Sequence, residues 1–243
     1  MNLIKADPDR SLEIPGVPGF VRRPVDIDQS RTGFTALRTL RIYRFDADSV
    51  INGHAEEDEV FIVVLTGSVE LTMSSDNWPD SQRHFTLAAA GDSPNAACAA
   101  YLPPHAAYQL IPRSEADIAY ARATPVGSRP PKVFTPRARV NAAGITVLLD
   151  ETIYAERLRL RLVQIDAQQN AVAFAPINEL EAICEALVNV RTMPAKRSAI
   201  ITRTDAAPTL LDSWDTVAVA PGDRPTLRID MGSSALAFIV MAA

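Results

Sequence analysis

Histidine and cysteine are scarce in this 243-residue chain: His54, His84 and His105 are the three histidines, and Cys98 and Cys184 the two cysteines. No Cys-x-x-Cys pair is present, which excludes a zinc knuckle or disulfide framework and leaves two reduced, packed thiols. Long apolar runs are missing too. Runs such as residues 60–65 and 235–243 fall far short of the roughly 20 residues a membrane-spanning helix needs. Positive charge is not in excess, because 24 Lys+Arg stand against 29 Asp+Glu for a net charge of -5 and a pI near 5.3. Such a surface has no general attraction for phosphate backbones or anionic lipid, so neither nucleic acid nor membrane is an expected partner. There is no Gly-rich phosphate loop, no Gly-x-Ser-x-Gly elbow and no His-Glu-x-x-His helix, which leaves nucleotide-dependent and hydrolytic chemistry without a motif. The opening MNLIKADPDR carries acidic residues where a signal peptide needs its apolar segment, so a cytoplasmic address is expected.

What the chain does contain is an internal repeat. RTLRIYRFDA from Arg38 answers to LRLRLVQIDA from Leu158 at an offset of 120 residues, with Arg41/Arg161 and Asp46/Asp166 identical. Apolar residues recur in both at a spacing of two, the period that puts alternate side chains on one face of a sheet. EVFIVVLTGSVELTM from Glu59 is matched to EAICEALVNVRTM from Glu181, and AAYLPPHAAYQLI from Ala99 to VAVAPGDRPTLRI from Val217. Three blocks in one order predict two all-β domains, 1–125 and 126–243, joined through the proline- and arginine-rich stretch 124–139. Residues 178–187 also carry a capping residue and a helical apolar period, but the repeat predicts strand there.

GHAEEDEVFIVVLTGSVELTM, which starts at Gly53, resembles the first motif of the cupins, with Gly67 at its turn, and YLPPHAAYQLI resembles the second. Together they suggest two tandem double-stranded β-helix (jelly-roll) barrels, a bicupin. Within the cupins, DEVFIVVLTGSVEL and AAYLPPHAAYQLIPRSEADIAYARATP resemble the 5-deoxy-glucuronate isomerase and 4-deoxy-5-ketouronate isomerase group. That resemblance implies a metal-dependent sugar isomerase with three histidines and a glutamate in the carboxy-terminal barrel. This chain departs from it, since no histidine follows His105 and no metal is expected in the second domain.

In the first domain His54 and Glu56 lie two apart, with Glu59 following, so the three form a candidate set of ligands for one divalent ion (Zn, Mn or Fe). The same run, Glu56, Glu57 and Asp58, also suits a solvated acidic turn. Tyr108 stands where the family has its returning-strand histidine, and with His105 it is the candidate for moving a proton between aldose and ketose. Tyr43, Tyr101, Tyr108 and Phe61 are candidates to line a barrel interior. Arg157, Arg159 and Arg161 share one strand face, more readily a solvent face or oligomer contact than a carboxylate site. Two functions are expected: a sugar-acid isomerase acting on a small polar carbohydrate, or a metal-free cupin serving as ligand-binding or structural homodimer.

Overall fold

The period of two is realised as strand through almost the whole chain. The computed structural model describes every residue except 82, 91, 93, 94, 142–144, 152, 153, 156, 168–171, 194–198, 204–206 and 231, and the side chains of 81 and 193. In chain order the first part holds β1 (Asn2–Ile4), β2 (Ser11–Glu13), β3 (Phe20–Asp28), β4 (Leu37–Phe45), β5 (Ile51–His54), β6 (Glu59–Thr66), β7 (Ser68–Ser74), β8 (Arg83–Ala88), β9 (Ala99–Leu102), β10 (Ala107–Pro112), β11 (Ala116–Ala123) and β12 (Lys132–Phe134). The second part holds β13 (Arg139–Val140), β14 (Thr146–Glu151), β15 (Leu158–Asp166), β16 (Val172–Phe174), β17 (Glu185–Met193), β18 (Ala199–Arg203), β19 (Thr209–Leu211), β20 (Thr216–Val219), β21 (Pro225–Ile229) and β22 (Ser234–Ala242). No helix among the described residues is long and apolar enough to cross a membrane.

The strands form two antiparallel sheet pairs of one design. The order β12-β9-β6-β11-β4-β3-β2 beside β5-β10-β7-β8 returns as β1-β20-β17-β22-β15-β14-β13 beside β16-β21-β18-β19. The chain is therefore an all-β pair of jelly-roll barrels. One strand of each barrel is exchanged: β12, beyond residue 125, pairs with β9 in the first, while β1 crosses to pair with β20 in the second.

Strand pairing also corrects the register of the repeat. Ala123 lies opposite Glu59 as Ala242 lies opposite Glu185, so Glu59 corresponds to Glu185 rather than to Glu181. Glu181 instead ends a single 3-10 turn, Glu179–Glu181, in a capping box with Asn178. That local box is what makes the segment look helical, and the strand begins only at Glu185.

Burial follows from the layering. Val60, Ile62 and Val64 face the first barrel's core, whereas Phe61, Val63 and Leu65 join Leu160, Leu162 and Phe238 in an apolar layer between the two large sheets. Being covered on both faces, β6 and β22 read as continuous apolar runs instead of alternating ones. Gly67 turns β6 into β7 at φ 73°, and a Cβ there would lie 2.4 Å from the Glu115 carbonyl oxygen, so the turn requires glycine.

Candidate ligand-binding site

The proposed metal donors do not converge. His54 is exposed at the end of β5, and Glu56, also exposed, turns the chain with φ 54°. Glu59 is fully buried on the opposite side of its sheet, where the Leu158 N–H donates to Oε1 at 2.6 Å and the Tyr101 hydroxyl to Oε2 at 3.3 Å. Parity explains this: with Val60 inside the barrel, its neighbour Glu59 must face out, toward the second barrel. Burial raises the Glu59 pKa above the usual carboxylate value. Among the described residues no group of three or more His, Cys, Asp or Glu side chains could hold a metal ion, so this donor set does not fit one.

His105 is likewise outside the barrel. It takes φ 64° in the turn before β10, donates its N–H to the Glu56 carbonyl at 2.7 Å, and places Nε2 3.6 Å from Glu57. Its half-exposed imidazole does not line the cavity. His84 is exposed and hydrogen-bonded to Thr72 at 2.7 Å.

Tyr108 does point inward, into a cavity of about 130 Å³ lined by Tyr43, Tyr120, Arg41, Arg122, Thr39 and Asn52, with Ile14, Phe45 and Ile51 completing the wall. Alternation supplies this set: Thr39, Arg41, Tyr43 and Phe45 are every second residue of β4, and Tyr120 and Arg122 are two apart on β11. Gly53 makes room for Tyr108, since a Cβ there would lie 2.3 Å from the phenol oxygen. The spacing of two is the signal in the sequence for Arg41, Tyr120 and Arg122, none of which belongs to the histidine motif. Tyr101 and Phe61, expected as lining, belong instead to the layer between the barrels.

The cavity's polar groups are incompletely satisfied. Tyr120 is 7% exposed, and its buried hydroxyl makes no hydrogen bond of normal geometry, although it lies beside the phenols of Tyr108 and Tyr43. Burial pushes Tyr108 up to about 12 and Tyr120 well above the ordinary phenol value, so both are neutral donors at physiological pH. The cationic groups outnumber their partners. Arg10, Arg23 and Arg41 share Asp26, and Arg38 and Arg122 share Asp58. Five guanidinium groups thus pair with Asp26 and Asp58, with Asp28 also near Arg41 and Glu57 near Asp58, and none of the cavity-lining residues is acidic.

Among the described residues the second barrel has no counterpart to this wall. Its core is Val163, Ile165, Val188, Ile201, Leu227, Ile229, Ile239 and Met241, all nearly or fully buried. Arg161, expected on a solvent face, turns into the end of this barrel, where Glu181 meets it through both carboxylate oxygens at 2.5 and 3.1 Å and Asp150 accepts from Nε at 3.2 Å. Burial opposes the charge, but the two acids outweigh it and raise the Arg161 pKa.

Comparison with known proteins places this architecture. The profile of the KduI/IolB family matches residues 20–144, which is 125 of the 243 residues. No curated protein matches the sequence. Among solved structures, an IolB-like protein from Salmonella typhimurium LT2 superposes with a TM-score of 0.68 at 16% identity, covering 91% of this chain and 89% of that one. A putative glyoxylate-induced protein from Pseudomonas aeruginosa gives 0.68 at 12% identity over 96% and 84% of the two chains. An oxalate decarboxylase variant from Bacillus subtilis gives 0.64 at 9% identity over 99% and 77%. At these identities the structural likeness establishes the fold, a double cupin.

Proposed function

Because the chain belongs to the KduI/IolB family, a cupin family of isomerase type, we propose that it binds one small, polar, carbohydrate-derived ligand in the cavity of its first barrel, and does so without a metal ion. One observation carries this reading. The buried phenols of Tyr120 and Tyr108 can satisfy each other's hydroxyls only once, which leaves one O–H without an acceptor, and a ligand oxygen in the adjacent cavity would supply it. The volume, about 130 Å³, is below the roughly 300–1,000 Å³ typical of drug-sized ligands, which suits a single small molecule.

Binding is favoured over isomerisation by what the cavity lacks as a proton carrier. Interconverting aldose and ketose requires a group that takes a proton near neutral pH. The lining phenols are held in their neutral form, and no carboxylate or imidazole is among the lining residues. Tyr108 therefore serves as a hydrogen-bond donor to the ligand, and His105 has no part in the cavity.

The test is calorimetric titration of chelator-treated protein and of Tyr120→Phe with a panel of pentoses, hexoses and their acids, accompanied by NMR of the recovered ligand. Saturable binding by wild type, weakened in Tyr120→Phe and returning the ligand unchanged, is the expected result. Binding that appears only after a divalent metal is restored, or recovery of an isomerised sugar, overturns it.

A further inference from the structure

Among the described residues, every part of the cavity wall but one is set on a strand. Strands β4, β5, β10 and β11 supply the rest, whereas Ile14 belongs to the loop between β2 and β3, at the edge where the large sheet ends. The loop sequence, Ile14-Pro15-Gly16-Val17-Pro18-Gly19, explains its form. Pro15 presets the second position of a turn, Gly16 takes the third at φ 83°, and the Val17 N–H donates to the Ile14 carbonyl at 3.0 Å to close it. Val17 is buried in the barrel core and pins the loop, while Pro15, Gly16, Pro18, Gly19 and Phe20 are exposed. A Cβ built on Gly16 or on Gly19 would meet nothing within 4 Å, so no neighbour blocks movement at either position.

Ile14 separates two spaces. On its inner side lies the cavity of about 130 Å³, and on its outer side a groove of about 370 Å³ walled by Glu13, Pro15, Val17, Gly19 and Phe20; Ile14 lines both. Resting on the ligand-binding reading above, we propose that Ile14 is the gate and the size filter of the cavity. The ligand passes along the groove of residues 13–20, the loop turns outward about Gly16 and Gly19 to admit it, and Ile14 closes behind a ligand that ends within the inner cavity. The strands of the wall are held by backbone pairing along their length, whereas the loop is held by the Val17–Ile14 turn bond and one buried side chain, so opening costs least there. A substituent that projects outward meets Ile14 and keeps the gate from closing. Ile14 is thereby the residue that decides which derivatives of a sugar are accepted.

Two readouts on the full chain test the gate, and the first needs no ligand. Tetranitromethane nitrates accessible phenols, and mass spectrometry maps the product to each tyrosine. Ile14→Ala is expected to raise the rate at Tyr43, Tyr108 and Tyr120 about tenfold at an unchanged far-UV spectrum, while Tyr101, fully buried between the barrels, reacts no faster than in wild type. In the second readout D-glucose and D-galactose are titrated against their phenyl β-glycosides. Wild type is expected to prefer the free sugar of at least one pair about tenfold, and Ile14→Ala to bring the two within about twofold of each other. Unchanged nitration of the three cavity tyrosines in Ile14→Ala, or a discrimination that survives the substitution, overturns the gate and leaves the ligand-binding reading standing. Faster nitration in a protein that binds none of the four compounds, before or after the substitution, supports Ile14 as the closure of the cavity and overturns the ligand-binding reading.

Discussion

The two barrels share every strand and differ in what fills them. On the equivalent strands β11 and β22, Tyr120 and Arg122 of the first barrel stand where the second has Ile239 and Met241, and Tyr43 stands where it has Val163. The second barrel shows that this backbone closes and packs with aliphatic residues at all three positions. The polar wall of the first is therefore not a requirement of the fold, which is what makes it informative about function. The charge arrangement differs in the same sense. Arg161 is saturated by acids of its own barrel, whereas Arg41 keeps an edge toward the cavity.

The comparison breaks most visibly at Glu181. Its side chain is 4% exposed and that of Arg161 12%, so Glu181→Ala leaves a buried guanidinium short of a partner and removes the capping box. A loss of about 3–5 kcal/mol is expected in urea unfolding, with acetate restoring part of it by occupying the vacated edge. Arg41→Gln removes a cation whose side chain is 37% exposed, and about 1 kcal/mol or less should be lost. Equal losses at the two sites would mean that the guanidinium groups are not differently satisfied, and the asymmetry between the barrels would fall.

Tyr120→Phe sharpens the contrast in the opposite direction. Removing a buried hydroxyl whose neighbour, the Tyr108 phenol, sits short of normal hydrogen-bond geometry relieves its desolvation cost, so the ligand-free protein should gain about 1 kcal/mol while its affinity for a bound ligand drops. A destabilised Tyr120→Phe would show that the hydroxyl is already bonded within the fold, and the cavity would then lose its principal mark of a ligand site.

Much of this architecture was legible in the sequence because period and repeat are carried by many residues at once. Three matched blocks were enough to expect two all-β domains, and the cupin resemblance to expect barrels, even though one block was out of register by four residues at Glu181. The site was harder to read, and Glu59 shows why. Its place in a histidine-containing motif suggested a metal ligand, but parity on β6 turns it away from the barrel, and only the partners of Val60 and Phe61 reveal which parity faces inward. Arg161 misled similarly: an arginine alternating with leucines reads as a solvent face unless the acid that buries it is known. That acid, Glu181, lies 20 residues away in sequence, beyond the reach of any local pattern.

The smallest expected effect concerns the two glutamates that tie the barrels together, and it turns on sign. Glu59 accepts the N–H of Leu158, the first residue of β15, while Glu185 reciprocally accepts the N–H of Leu37, the first of β4, together with those of Ala36 and Thr35 and the Thr35 hydroxyl. Burial raises the Glu59 pKa and its few donors do not offset it. At Glu185 burial also acts upward, but the donors from Thr35, Leu37 and Ala36 outweigh it and the pKa falls below the usual value. A carboxyl with a raised pKa binds protons more readily folded than unfolded, so its contribution falls as pH rises from the unfolded value of about 4.3 through the raised one. One with a lowered pKa contributes fully above that value and is lost as pH drops through the lowered one. Glu59→Gln should therefore flatten the decline of melting temperature on the alkaline side of this range, and Glu185→Gln should flatten the rise on its acid side. If both variants change the same limb of the curve, the latch is not the opposed pair that its donors indicate, and the two halves of the repeat are electrostatically equivalent where they meet.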